Sequence, residues 1–309
     1  MVNESSSPAR IFLKTILLTL LFLGLFIFLT LTSLSIFAYR QLLTFTSTAG
    51  ITPPELFSTI RSGLAASPTH TNNHKNILLL GVDALETRGT SQPLTDTMII
   101  ASLDLKSGHV RTISLPRDLW SAEYQTKINA LYFYGQERNP NEPAAFPTEV
   151  IQELTGVQLH HTLVLSMEQV GLLIDLIGGI EVEVPQSFTD PQFPRPEVDV
   201  TVERDPAKLY QTVSFEQGTE HMTGERALQF IRSRHAEGEE GSDVARSHRQ
   251  QLVIQSLMRS LLDKKLLANP EKLGQLYRFY QENFAAALPM TEAIATAKTL
   301  VPVLDQIRF

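Results

Sequence analysis

The sequence contains no cysteine, which excludes a disulfide framework, a thiol nucleophile and any thiolate-held zinc or iron–sulfur site. It has little charge: only 19% of residues are Asp, Glu, Lys or Arg, too few for a solvated, disordered chain. Acids outnumber bases, 33 to 26, for a net charge of −7. That balance excludes a general nucleic-acid coat, because phosphate-backbone binding concentrates Lys and Arg on one face. Familiar catalytic signatures are also missing: there is no G-x-G-x-x-G, P-loop, H-E-x-x-H or G-x-S-x-G. Chemistry by positioning and electrostatics is the leading option, on a chain whose 309 residues suffice for a proper core.

Between Lys14 and Arg40 charge is absent altogether, and Ile16–Phe37 is almost entirely Leu, Phe, Ile, Thr and Ser. Roughly 20 apolar residues in a helix span a bilayer core, so an uncleaved transmembrane anchor is predicted over 15–39. No small-residue cleavage pattern follows it, unlike a removable signal peptide. Arg10 and Lys14 precede the span, which favours a cytoplasmic tail at 1–14. Residues 1–39 carry two bases and one acid (+1), so the remaining 270 carry −8 and are expected outside.

Residues 40–74 are rich in Thr, Ser, Pro and His, which predicts an extracytoplasmic spacer. Its helical patch around Glu55–Leu64 keeps an extra packed helix as the alternative. A folded domain over 75–265 then opens with Asn76–Asp83, a short apolar run ending on an acid, as a buried strand would. Met98–Leu103, Val110–Leu115, Leu163–Leu165 and the alternating Ile180–Val184 read as further strands. Helices are predicted over Pro147–Leu154 and from the capping box at Ser166-Met167-Glu168-Gln169 to Gly178. Thr223 caps a short helix through Leu228, Phe230–Arg234 reads as extended, and Ser242 or Asp243 caps a long helix to about Leu267. Residues 266–309 read as a helical extension packed on the domain. The alternation gives an α/β (α+β) fold, a central mixed β-sheet sandwiched between helices.

Charge gathers at the ends of apolar segments: Asp83, Arg117 with Asp118, and Arg232 with Arg234. Ligands in open α/β sheets collect beyond the carboxyl ends of strands. On the helix from Asp243, Arg246, Arg249 and Gln250 share a face at i, i+3 and i+4, and Lys127 lies ten residues beyond Arg117. Converging guanidiniums suit a phosphate-bearing ligand. Asp83 and Asp96 flank one loop, and two carboxylates beside a diphosphate are what Mg²⁺ takes. Spacing alone equally allows the arginines as a solvated face paired with Glu237, Glu239, Glu240 and Asp243. It also allows both aspartates as turn or cap residues.

The ordered series Asn76–Asp83, Thr95–Met98, Ser114–Asp118, Lys127–Ala130, Gly178–Val182, Leu228–Arg234 and Asp243–Gln250 resembles the LytR-CpsA-Psr family. The resemblance implies a membrane-anchored enzyme of the bacterial cell membrane, single-pass, with its C-terminal domain extracytoplasmic. Such an enzyme moves a glycopolymer, teichoic acid among them, from a polyprenyl-diphosphate carrier to peptidoglycan, forming a phosphodiester. It implies Asp83 and Asp96 as ligands of Mg²⁺, with Mn²⁺ as the alternative. Arg117, Arg232, Arg234 and Arg246 would hold the diphosphate, with Lys127, Gln250 and Arg249 beside them and Asp243 orienting the arginines. Asp83, then Asp118, is the candidate general base. Membrane lipid is an implied partner and nucleic acid is not. Where the family has an arginine before its Ser-Asp pair, this chain reads Pro93-Leu94-Thr95; Arg88 is the expected substitute. Competing readings are a polyprenyl-diphosphate hydrolase, a lipid-carrier binding protein and, least favoured by the acidic exterior, a transcriptional attenuator.

Overall fold

A computed structural model describes residues 8–83, 94–195, 198 and 203–306. Helix α1 (Pro8–Ala49) contains the charge-free run, and among the described residues it is the one helix long and apolar enough to cross a membrane. Helix α2 (Pro53–Ala65) starts at a complete capping box, with Thr52 and Glu55 satisfying each other's backbone N–H. The expected spacer over 40–74 therefore needs correction. Its first half is helical and packed, α1 against α10 (Pro270–Asn283) and α2 against α11 (Met290–Leu300).

Two glycines permit that packing. A Cβ on Gly274 would stand 2.7 Å from the Phe45 carbonyl, and one on Gly63 would stand 2.6 Å from Ile294 Cβ. The Thr- and Ser-rich composition of this segment conceals a helical hairpin whose partners lie more than two hundred residues away.

Strands β1 (His74–Asp83), β2 (Leu94–Asp104) and β3 (Val110–Ser114) form an antiparallel meander. The small ribbon β4 (Trp120–Ser121) with β5 (Thr126–Lys127), helix α3 (Leu131–Arg138) and helix α4 (Ala145–Thr155) lead to β6 (His161–Ser166). The last strand lies parallel to β1, so the main sheet runs β3-β2-β1-β6 and is mixed. Alternate residues Leu78, Leu80, Met98 and Ile100 turn to one face and bury against Ile128, Leu131, Phe146, Val150 and Ile151. Burying each such side chain contributes about 1.5–3 kcal/mol.

Beyond the other face, a second core joins α5 (Met167–Ile177), β7 (Ile180–Val184), β8 (Phe188–Pro194), the turn α6 (Pro206–Leu209), β9 (Tyr210–Phe215), β10 (Gly218–Met222), α7 (Gly224–Arg232) and α8 (Asp243–Leu261). Phe188, Phe215 and Phe230 pack there as an aromatic triad, with ring centroids 5.0–6.0 Å apart. A short turn, α9 (Lys264–Leu267), leads into α10 and α11. Residues Phe230–Arg232, read from sequence as extended, are the end of α7. Ala227, Phe230 and Ile231 are buried at helical i, i+3, i+4 spacing, and Thr223 caps the start.

One buried ion pair fastens the C-terminal extension to the sheet. Lys75 on β1 is 1% exposed and its ammonium contacts Glu292 of α11. The same carboxylate accepts the N–H of Thr69 at 2.6 Å and its hydroxyl at 2.8 Å, and lies 3.7 Å from His161 Nε2.

Candidate functional site

The cleft is built on an irregularity in the β1–β2 ladder. Gly81 pairs with Thr97 and Val82 with Thr95, leaving Asp96 as the extra residue of a β-bulge. A bulge bends its strand and re-aims a side chain. Here Asp96 faces Arg117, whose Nη1 donates to Asp96 Oδ1 at 3.0 Å. Thr95 beside it is buried and bonds the Asn129 carbonyl at 3.0 Å, while the Asn129 N–H meets the Arg117 carbonyl at 3.3 Å. Three separated motifs, around residues 95, 117 and 129, are thus one structural knot.

Arg117 reaches further, placing Nη2 3.6 Å from Asp243 Oδ2 and Nε 3.5 Å from Asp118 Oδ2. At the N-terminus of α8, Asp243 also contacts Arg246 at 3.2 Å and Arg234 at 3.8 Å. The loop after β3, the end of α7 and the start of α8 therefore deliver their arginines to one place. Two adjoining pockets of about 300 Å³ each share Asp96, Arg246 and Gln250 as lining; one adds Arg232, Arg234 and His235, the other Arg117, Asp118 and Asp243.

The electrostatics leave a demand for an anion. Burial lowers the Arg246 guanidinium from its ordinary range, and neighbouring Arg234 lowers it further. For Arg117, burial pulls the same way but the hydrogen bond and charge of Asp96, with Asp243 and Asp118, outweigh it and raise the group. Arg246 Nε and Thr97 Oγ1 are buried and lack a hydrogen-bond partner among the described residues, and Arg117 Nε has only its long 3.5 Å contact to Asp118. Each such orphan costs about 1–3 kcal/mol. An oxygen-rich ligand drawn between these arginines offers the acceptors that the protein does not.

Arg249 needs correction. Its side chain, from the residue before Gln250, projects about 100° around the helix from it and lines neither pocket. It is 1% exposed, donates to the carbonyls of Phe230, Ser233 and Glu240 and to the Glu240 carboxylate, and stacks 4.7 Å from the Phe188 ring. It braces the loop that carries Arg232 and Arg234 instead of meeting ligand. Asp190, unremarked in the sequence because it sits in a proline-rich stretch, is the other brace. Fully buried, it accepts the N–H groups of Arg234 at 2.9 Å and His235 at 3.2 Å.

Lys127 is exposed and bonds Asp118 at 2.6 Å, at the rim of the cleft and not inside it. That bond, more than any other influence, holds the Asp118 carboxyl below the usual carboxylate range, which makes it a weaker base. β1 ends with Asp83 opposite Leu94, at the same end of the sheet as Asp96. The Asp83 side chain and the whole of Arg88 lie outside the described residues. Among those described, no group of three or more His, Asp or Glu could cage a metal. One or two carboxylates at adjacent strand ends fit a hard cation that shares its shell with phosphate oxygens and water, and not an all-protein cage.

The LytR_cpsA_psr family model matches residues 49–304. The polyisoprenyl-teichoic acid–peptidoglycan teichoic acid transferase TagV of Bacillus subtilis (strain 168) is 24% identical over 226 residues, 71% of this chain and 51% of that protein. The transferase TagU of Oceanobacillus iheyensis is 28% identical over 186 residues, 59% of this chain and 50% of that protein. The matched region thus spans about half the length of these relatives. Among solved structures, B. subtilis TagV superposes with a TM-score of 0.51 at 21% identity, covering 74% of this chain and 80% of that one. The protein gbs0355 from Streptococcus agalactiae gives 0.50 at 22% identity, over 75% and 78%.

Proposed function

Because the chain belongs to the LytR_cpsA_psr family, we propose that it is a membrane-anchored phosphotransferase that moves a teichoic-acid-type glycopolymer from a polyprenyl-diphosphate carrier to peptidoglycan. The convergence of Arg117, Arg232, Arg234 and Arg246 on the Asp96 bulge, with the buried Arg246 Nε left without a hydrogen-bond acceptor, carries this reading. The relatives named as teichoic acid transferases supply its substrate class.

In the reaction, an acceptor hydroxyl oxygen attacks the phosphorus that bears the glycan. The bond from that phosphorus to the bridging oxygen breaks, polyprenyl phosphate leaves with the electron pair, and a phosphodiester forms. The guanidiniums hold both phosphates in line and neutralise charge developing on the leaving group. Asp243 spaces Arg117, Arg234 and Arg246 so that their charges do not drive them apart. The hydroxyl proton goes to a carboxylate; Asp118 is tied to Lys127 and Arg117, which leaves Asp83 as the first candidate. Asp96 and Asp83 would hold Mg²⁺ or Mn²⁺, which supplies Lewis-acid neutralisation of the diphosphate. The anchor holds the domain at the membrane, on the extracytoplasmic side by the charge bias of its flanks.

The test is a transfer assay with a polyprenyl-diphosphate glycan donor and peptidoglycan fragments. Wild-type protein yields a glycan–peptidoglycan conjugate. Arg117→Ala and Arg246→Ala each cut turnover by about 10²-fold, the loss of a charge-assisted contact in the transition state. Wild-type-like turnover in both folded variants would refute the site. Free phosphate ester as product, with or without acceptor, would make the protein a hydrolase.

A further inference from the structure

Trp120 is the sole tryptophan in the chain, and it is 56% exposed. Its ring takes part in none of the aromatic or cation–π contacts among the described residues. Its indole joins a broad, rigid apolar face to a polar N–H, which suits it to a contact that is part apolar and part wet.

The backbone beneath Trp120 is fixed. The Leu119 N–H bonds the Pro116 carbonyl at 2.9 Å, the Ile128 N–H bonds the Leu119 carbonyl at 2.9 Å, and Trp120 pairs with Lys127 across the β4–β5 ribbon. A continuous row of ion pairs leads to it from the cleft: Arg234 to Asp243 at 3.8 Å, Asp243 to Arg117 at 3.6 Å, Arg117 to Asp118 at 3.5 Å and Asp118 to Lys127 at 2.6 Å. Trp120 stands at the far end of that row from Arg232 and Arg234.

We propose that Trp120 is the platform on which a pyranose ring of the acceptor glycan stacks, a subsite of the transferase reading given above. The C–H face of a pyranose carries slight positive charge and meets the negative face of the indole, as other positive edges do. Its hydroxyl and acetamide groups need hydrogen-bonding neighbours, and the same ribbon and its approach carry exposed Asp118, Glu123, Gln125 and Lys127, the last paired with Trp120 across the strands. Leu119 beside the ring is exposed as well, but a bilayer contact would want a basic surround, and here Asp118 and Glu123 offset Lys127. In-line displacement brings the acceptor to phosphorus from the side opposite the leaving group. A donor carrier held by the α7 and α8 arginines therefore leaves the Trp120 rim for the acceptor.

The single tryptophan makes the test direct. With the full chain in detergent micelles, intrinsic fluorescence is titrated with a soluble N-acetylglucosamine–N-acetylmuramic acid oligosaccharide, without donor; a saturable change is expected, and the peptide stem alone gives none. In steady-state transfer, Trp120→Ala raises the acceptor KM about tenfold and moves the donor KM less than twofold, while Trp120→Tyr restores most of the acceptor affinity. An unchanged acceptor KM in Trp120→Ala overturns the proposal. So does a rise confined to the donor KM, which would assign the ring to the donor glycan, or a loss confined to vesicle binding, which would make it a membrane contact. If wild-type protein shows no transfer, the functional reading fails; the fluorescence titration still decides whether Trp120 meets sugar.

Discussion

Replacing Glu292 by Gln tests how the C-terminal extension is held to the sheet. The neutral amide keeps the shape and some hydrogen bonding but leaves the Lys75 ammonium, 1% exposed, without its counter-charge. Burial acts to raise the Glu292 carboxyl; the hydrogen bonds from Lys75 and Thr69 and the charge of Lys75 outweigh it and bring it from 4.5 to about 2. At about 1.4 kcal/mol per tenfold in proton affinity, that shift is worth about 3 kcal/mol. Breaking a buried pair from one side costs about 3–5 kcal/mol, so the two routes agree. For a domain of this size each kcal/mol moves Tm by about 2–4 °C, giving a fall of about 6–20 °C. The carboxyl is lowered in the folded state, so its contribution is complete above pH 4.5 and is lost as pH falls toward 2. Thermal unfolding of the full chain in detergent, followed at pH 7 and in steps down to pH 3, reads both effects. Wild type converges on Glu292→Gln as pH falls. A Tm within 2 °C of wild type at pH 7, or parallel losses in both proteins through the acid range, would refute the reasoning. The double change Lys75→Met with Glu292→Leu removes both charges and recovers most of the lost stability.

Further outcomes follow from the cleft and its braces. Asp96→Asn lowers donor turnover and moves the metal requirement to higher Mg²⁺ concentration, measured by titrating Mg²⁺ in the transfer assay; an unchanged midpoint removes Asp96 from the metal site. Arg249→Leu costs about 3–5 kcal/mol in chemical denaturation, because three carbonyls and the Glu240 carboxylate lose their donor. Its turnover falls only as far as the Arg232–Arg234 loop loosens. Gly274→Val forces α1 and α10 apart, since a Cβ there would lie 2.7 Å from both the Phe45 carbonyl and Thr48 Cβ. Increased proteolysis between α1 and α2 is the expected readout.

Much of the sheet was legible because its strands are short apolar runs ending in charge, and the capping box at Ser166 and the N-cap at Thr223 announce α5 and α7 through local hydrogen bonding alone. Failures came where the deciding contact is distant. Thr52-Pro53-Pro54-Glu55 carries a capping box too, but only the late partner α11 makes α2 stable, and composition spoke for a spacer. Phe230-Ile231 between polar neighbours reads equally as strand or helix until the aromatic triad claims Phe230. In the site, arginine spacing located Arg246 and Gln250, which share a helical face. It misassigned Arg249, whose partners come from α7 and the turn before α8. The β-bulge that singles out Asp96 is a mismatch between two strands and has no signature in either alone.

The union of α1 with α10 has a mechanical consequence. The helix continues past Arg40 for only about 7 Å before the domain grips it through Phe45, Tyr277 and Gly274. A flexible tether would let a domain tumble over a hemisphere of solvent. If α1 crosses the bilayer as proposed, this short stalk would instead keep the domain in a thin layer above the lipid, so that meeting a membrane-borne donor would become a search in two dimensions, and the stalk's height would set how far into the surroundings the cleft reaches.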